Sequence, residues 1–336
     1  MSPTSPAGAT QAGAADSTSR LTTEAVDARY AEIDRLPIAE LARLMNEADA
    51  TVPTAIAAEL PRIVPALEAA AARMTTGGRL IYVGAGTPGR IGVLDASESP
   101  PTFGTPPEQV FGIIAGGPEA IVSPIEGAED DPVAGRQSIV DAEVGPRDSV
   151  IGIASSGRTP FVVAAVEEAR RRGALTVGFS CNVGTVLSAT AEYPIEVVVG
   201  PEFISGSTRL KAGTAQKLVL NMFSTIVMIG LGKTYGNLMV DVRASNSKLR
   251  DRAARIVATI AEVPEEEAVT MLEGSDYDVK TAVVRLRRGV PLDDARRILS
   301  AAGGRLRRAL EEPEAPDAGT GAAGDDTGND TGGARR

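Results

Sequence analysis

The sequence predicts an α/β protein: a doubly wound, parallel five-stranded sheet flanked by helices, followed by a small all-helical domain. Three observations predict it. Short apolar segments alternate with helix-like stretches between residues 76 and 240. Three of those segments run into loops of Gly, Ser and Thr: Gly84-Ala85-Gly86-Thr87-Pro88-Gly89-Arg90, Ala154-Ser155-Ser156-Gly157-Arg158-Thr159-Pro160 and Ser180-Cys181-Asn182. Beyond residue 248 the strand pattern stops and helical spacing takes over.

Taken along the chain, residues 1–20 read as a disordered tail of Ala, Gly, Ser, Thr and Pro. Residues 21–75 read as helices. Ala39 to Met45 has one apolar face, and Thr54 to Met74 places Ile56, Leu60, Ile63, Val64 and Leu67 at helical spacing. Pro53 suits a first turn, whereas Pro61 and Pro65 predict a bend or a division. Residues 76–240 form the sheet domain. Its expected strands are Arg79–Val83, Val110–Ala115, Ser149–Ala154, Leu175–Ser180 and Ile195–Val199, and its expected helices are Arg90–Ser97, Pro160–Arg172 and Thr208–Leu231. Residues 248–312 form a helical domain in which Leu272, Val279 and Ala282 are echoed 27 residues on by Leu299, Leu306 and Ala309. That echo predicts two packed helical hairpins, similar to ubiquitin-associated modules. The arginines there, including Arg285, Arg287, Arg296 and Arg307, read as a solvated face. Residues 313–336 read as a second disordered tail.

Composition narrows the chemistry. The 336 residues carry a formal charge of −10, which disfavours nucleic-acid binding. Aromatics are only 3%, so Val, Ile, Leu and Ala must fill the core. There is no histidine, which removes imidazole acid–base chemistry, histidine metal sites and His-activated nucleophiles. Carboxylates, lysines or tyrosines must then move any protons. The single cysteine, Cys181, forms no intrachain disulfide and fits a reducing compartment. The N-terminus lacks the basic and apolar regions of a secretory signal, and the longest apolar stretch, Leu218 to Leu231, is short for a bilayer. The expectation is a soluble, cytoplasmic protein without a membrane partner.

Several backbone N–H groups and hydroxyls at the carboxyl end of a parallel sheet make a phosphate cradle. The Gly84–Arg90 loop alone would also fit a dinucleotide, but the next strand ends in Ala115-Gly116-Gly117-Pro118, without the acid that holds a ribose. The Ser155–Pro160 loop is more specific, because one helix cap needs one hydroxyl and here there are three. Two carboxylate segments follow successive strands. They are Asp95-Ala96-Ser97-Glu98, halted by Pro100 and Pro101, and Glu126-Gly127-Ala128-Glu129-Asp130-Asp131. Two carboxylates in different surroundings serve as acid and base. The stretch Ser207-Thr208-Arg209-Leu210-Lys211 opens the long apolar helix. Ser207 or Thr208 is placed to cap it, and Arg209 or Lys211 to reach an anion.

Together these residues resemble the N-acetylmuramic acid 6-phosphate etherases, which carry a sugar isomerase (SIS) domain. The carrying stretches are Ala31-Glu32-Ile33-Asp34-Arg35, Gly84-Ala85-Gly86-Thr87, Asp95-Ala96-Ser97-Glu98, Glu126-Gly127-Ala128-Glu129-Asp130, Ser156-Gly157-Arg158-Thr159-Pro160, Arg209 to Lys217 and Gly236-Asn237-Leu238-Met239-Val240-Asp241. The resemblance implies a SIS-type sheet and cleavage of the ether between D-lactate and C3 of the phosphorylated sugar. It implies lyase chemistry in cell-wall amino-sugar recycling, with no cofactor and no metal, and a homodimer whose site the neighbouring subunit completes. It implies Glu98 as proton donor, held protonated by burial, and Glu129 as the second, ionised carboxylate. It places Thr87, Ser155, Ser156 and Thr159 on the sugar phosphate, with Gly86, Gly157, Ser207, Arg209 and Lys211 as further substrate contacts. Pro88 stands where the family usually has Ser, and Ser99 where many relatives have Cys. Two other activities fit a SIS domain: a non-catalytic sugar-phosphate-binding regulator, like the regulatory protein of animal glucokinase, or an aldose–ketose phosphosugar isomerase.

Overall fold

A computed structural model describes residues 21–244 and 246–311, so both expected tails lie outside the described residues. Its centre is a five-stranded sheet of β1 (Leu80–Gly84), β2 (Val110–Ile114), β3 (Ser149–Ile153), β4 (Leu175–Ser180) and β5 (Tyr193–Glu196). The order is β2-β1-β3-β4-β5 and every pair is parallel. Alternate side chains go to opposite faces, as the pleat requires. Leu80, Tyr82, Ile151, Ile153, Val177 and Phe179 meet α2 (Val52–Thr75), α3 (Gly86–Phe103) and α7 (Lys211–Gly230). Ile81, Val83 and Val150 meet α4 (Pro132–Asp141), α5 (Pro160–Arg171) and α6 (Val186–Thr190) on the other side. A shorter helix, α1 (Ile38–Asp49), packs with Tyr30, Phe203 and Leu210 beside this layer.

The departures from expectation have local causes. Helix α2 is not divided, because Pro61 and Pro65 both lie on its exposed face, where water can take the carbonyls they leave unpaired. Helix α3 is not halted at Pro100 and Pro101. The helix runs through both to Phe103, forgoing the bonds their missing N–H groups would make to the Ala96 and Ser97 carbonyls, and Gly104 in the left-handed region ends it. Strand β5 starts two residues early, since Pro194 is harmless on an edge strand. It stops at Glu196 because Val197 N–H takes the last carbonyl of β4, at Ser180. Helix α4 was hidden behind the acidic run: Asp131 caps it, its carboxylate accepting from the Val133 and Ala134 N–H groups at 2.9 and 3.0 Å. Helix α7 meets the length and apolarity of a membrane span, yet 56% of its apolar window is buried inside the fold.

A hairpin of β6 (Thr234–Tyr235) and β7 (Leu238–Met239) leads to α8 (Ser247–Ala261), α9 (Glu265–Glu273), α10 (Val279–Arg288), α11 (Leu292–Ala301) and α12 (Leu306–Glu311). These helices enclose their own apolar cluster. Leu272, Val279 and Ala282 and their echoes Leu299, Leu306 and Ala309 are all buried in it. Several arginines are committed nearby. Arg285 donates to Gly274 and Ser275, Arg296 pairs with Asp276 at 2.7 Å, and Arg287 pairs with Glu262 at 3.4 Å. The Arg307 guanidinium lies over the Tyr235 ring.

Candidate active site

Parallel register sets Gly84 beside both Ile114 and Ile153, and Ile153 beside Phe179. The loops after β1, β3 and β4 therefore emerge along one edge of the sheet. The first two turn toward the start of α7. Thr87, half-buried in the first turn of α3, has its methyl group 3.6 Å from where a Cβ on Gly213 would sit. Ser155, buried at the end of β3, accepts a hydrogen bond from Gln216 of α7 at 2.8 Å.

The β3 loop is held in an uncommon conformation. Gly157 has φ +66° and is pressed against Thr185, whose side chain a Cβ would meet at 2.4 Å. Only glycine fits there without displacement. This turn leads through Ser156 and Thr159, both half-buried, into the start of α5. Thr159 stands at the N-cap position but makes no capping hydrogen bond with its side chain. The Ser156 hydroxyl accepts a long contact from Arg158 N–H, at 3.3 Å. Helix α3 likewise starts at Ala85-Gly86 with no side-chain cap, and Gly86 has φ +57°. Hydroxyls that do not cap and helix starts without side-chain caps suit an anion.

The third loop behaves differently from the other two. Ser180 donates to the Asn182 carbonyl and Asn182 is buried. Its amide bridges the Ser155 carbonyl at 2.9 Å and Thr23 at 3.2 Å, while its oxygen accepts from Thr22 N–H at 2.7 Å. This loop braces the β3 loop and ties it to the N-terminal segment, so its polar groups are already spent. Cys181 is buried there, and burial pushes its thiol well above the usual range. It is an inert packing residue.

Glu129 and Glu98 are not brought together. Glu129 lies exposed on the turn at Ala128–Asp130 and lines a cavity of about 300 Å³ with Ala85, Gly86, Arg90 and Glu126. The Arg90 guanidinium donates to the Ile121 carbonyl at 2.9 Å at the margin of this cavity. Glu98 does not line it. At the rise of an α-helix it stands about 18 Å along α3 from Gly86. Its side chain is exposed, so the expected burial is absent in a single chain. One turn away on the same helix, Asp95 is buried and accepts from Tyr82 at 2.6 Å, Ser224 at 3.1 Å and Asn221. That cluster locks α3 onto β1 and α7, and it fixes the direction in which Glu98 faces.

The start of α7 also departs from expectation. Neither Ser207 nor Thr208 caps it, and the helix starts at Lys211, not Thr208. The buried Glu202 carboxylate accepts both the Lys211 and Ala212 N–H groups at 2.9 Å. Burial pushes Glu202 up, and these two N–H groups and the Lys211 charge oppose the rise. Lys211 is itself buried, its ammonium donating to the Val199 carbonyl at 2.7 Å. It faces a separate cavity of about 810 Å³ under α1 and α2, so it is not an anion contact for the two hydroxyl loops. Arg209 is exposed and Ser207 half-buried on the turn before the helix. Gln216 and Glu202 are thus site-building residues to which sequence reasoning assigned no role, and Asn182, expected with its loop to join the phosphate cradle, braces the β3 loop instead. No local signal marks Gln216, since Thr214 and Lys217 beside it are polar as well.

Family models match three stretches of the chain. The glucokinase regulatory protein N-terminal SIS domain covers residues 62–170, the SIS domain residues 135–235, and the C-terminal lid domain of glucokinase regulatory protein residues 236–301. The chain is 58% identical to an N-acetylmuramic acid 6-phosphate etherase of Streptomyces avermitilis over 290 residues, 86% of this chain and 93% of that one. It is 56% identical to the etherase of Rubrobacter xylanophilus over 296 residues, 88% of this chain and 98% of that one. Among solved structures, a phosphoheptose isomerase from Francisella tularensis is similar at a TM-score of 0.44 and 16% identity, covering 58% of this chain and 100% of that one.

Proposed function

The chain belongs to the N-acetylmuramic acid 6-phosphate etherase family, and from that premise we propose that it cleaves the D-lactyl ether of N-acetylmuramic acid 6-phosphate. The products are N-acetylglucosamine 6-phosphate and D-lactate, in cytoplasmic recycling of cell-wall amino sugars. The observation that carries this reading is the meeting of Thr87 and Ser155 at the first turns of α7, with Glu129 in the cavity that begins at Gly86. Thr87, Ser155, Ser156 and Thr159 hold the 6-phosphate, aided by the backbone at Gly86 and Gly157. Ser207 and Arg209 stand at the rim.

In the open-chain sugar the C2 proton is acidified by the neighbouring aldehyde. The Glu129 carboxylate takes it, and the C2–H electron pair becomes the C2=C3 double bond. The C3–O bond breaks with its electrons going to the lactyl oxygen, which Glu98 protonates. Water then adds its hydroxyl to C3 and a proton returns to C2. No step changes an oxidation state of the pair of products taken together, and carboxylates suffice for each proton transfer.

A homodimer completes the site in this reading. Helices α2, α3 and α7 share one face of the sheet, and together they leave Leu60, Val64, Leu94, Ile226 and Ile229 exposed. Leu94, 54% exposed, stands one turn from Glu98 on the same helix. An apolar face of this kind favours a partner, and a second copy would supply the burial that Glu98 lacks here. Residues 76–240 act as the phosphosugar-binding domain and residues 248–312 as an appended helical domain.

The purified protein is expected to release free D-lactate from N-acetylmuramic acid 6-phosphate at a rate that a chelator does not change. Phosphosugar binding without lactate release would favour a regulatory protein, and aldose–ketose interconversion without lactate an isomerase. Pro88 sits in the first turn of α3, where a missing N–H costs the helix nothing but removes one donor from the phosphate cradle. Pro88→Ser is expected to tighten phosphosugar binding about fivefold, the worth of roughly one hydrogen bond, as read by calorimetric titration.

A further inference from the structure

We infer that Gln216 is a positioning residue for phosphate recognition, aiming the Ser155 hydroxyl at the substrate's 6-phosphate. The inference rests on the phosphate role of Ser155 proposed above. Gln216 is 0% exposed, in the second turn of α7, whereas the polar residues beside it, Thr214 and Lys217, are exposed. Its Nε2 donates to Ser155 Oγ at 2.8 Å. Its Oε1 is buried and has no hydrogen-bond partner among the described residues. A buried amide with one end unpaired is costly, so its place here calls for a reason.

The chemistry of the contact supplies that reason. A serine hydroxyl has one hydrogen and two lone pairs. With Gln216 N–H directed at a lone pair, the hydrogen of Ser155 is free to point elsewhere, and a phosphate oxygen accepts it. The rest of Ser155 is already fixed. Its carbonyl accepts from Cys181 N–H and from the Asn182 amide, both at 2.9 Å. The backbone is held from the β4 side and the hydroxyl from the α7 side, so the donor direction is set before the ligand arrives. If the amide were reversed, Oε1 would take the hydroxyl hydrogen and Ser155 would be lost as a donor. The orientation of Gln216 thus decides whether Ser155 serves the phosphate.

The test is a double-mutant cycle on the full-length protein, read as the dissociation constant of N-acetylmuramic acid 6-phosphate and as KM and kcat for lactate release. Gln216→Met keeps the volume and removes the N–H. It is expected to weaken binding and raise KM about fivefold, with kcat within about twofold, the loss of roughly one oriented hydrogen bond. In a Ser155→Ala background the same substitution is expected to change neither value, because the group it acts through is gone. Gln216→Glu, whose carboxylate captures the hydroxyl hydrogen, is expected to raise KM more than Gln216→Met. Should Gln216→Met fail to fold, Gln216→Asn, which draws the amide back by one methylene, carries the cycle. Equal losses in the Ser and Ala backgrounds, or a fall in kcat with KM unchanged, would overturn the inference while leaving the etherase reading standing. No binding of the phosphosugar by the unsubstituted chain would overturn both.

Discussion

Glu98→Gln is expected to lower lactate release about 10³-fold, within the range that one positioned acid contributes. The amide has the size of the acid and its dipole, but it has no proton to give the departing lactyl oxygen. Expulsion of an unprotonated alkoxide from C3 then sets the rate. The earlier step is untouched, because Glu129 still removes the proton at C2. The variant in deuterated water should therefore exchange the C2 hydrogen of the substrate while releasing almost no lactate. KM should move little, since in the proposed site the hydroxyl loops, not Glu98, hold the 6-phosphate. Substrate binding by calorimetry, C2 exchange by proton NMR and lactate by a coupled assay separate these quantities. Exchange lost together with release would move Glu98 to the first step.

The fold was legible because its causes are local and repeated. Five apolar strands separated by helical stretches permit few arrangements, and the parallel order follows from the crossovers. The misreadings came where a residue's effect depends on what surrounds it. Proline reads as a breaker at positions 61, 65, 100 and 101, yet an exposed helix face tolerates it at 61 and 65, and at 100 and 101 the helix loses two bonds only in its final turn. The cap of α7 was sought among Ser207 and Thr208, beside the helix, and it came from Glu202, brought there by a turn. Lys211 read as an anion contact because it is cationic at a helix start. Its side chain instead turns into the protein and spends its charge on Val199 and Glu202.

The site was legible in part, and the dividing line is physical. Glycine-and-hydroxyl loops announce themselves, since their chemistry lies in consecutive residues. Thr87 and Ser155 both reach α7, and the Thr159 side chain makes no capping hydrogen bond. Gln216 and Asn182 work across long sequence separations, on Ser155 from α7 and from the β4 loop, and no spacing rule reports such contacts. The relation between Glu98 and Glu129 is a further step removed, because in the proposed dimer it depends on a second copy of the chain.

That dependence makes the Glu129 variant informative in a way that Glu98→Gln alone is not. Glu129→Gln is expected to abolish both C2 exchange and lactate release, each by about 10²–10⁴-fold, because without the base neither the double bond nor the leaving group can form. In a twofold dimer whose sites each combine Glu98 of one chain with Glu129 of the other, the two inactive proteins complement. A mixed dimer of Glu98→Gln and Glu129→Gln chains has one site with both faults and one with neither. Random exchange of equal amounts makes half the dimers mixed, so about a quarter of the normal lactate release should return. If both carboxylates serve the site from one chain, every site in the mixture carries one fault and no activity returns. Co-refolding of differently tagged chains and purification of the mixed species decide between the two. Recovery would explain why Glu98 stands exposed next to an exposed Leu94 on a face that one chain alone leaves uncovered.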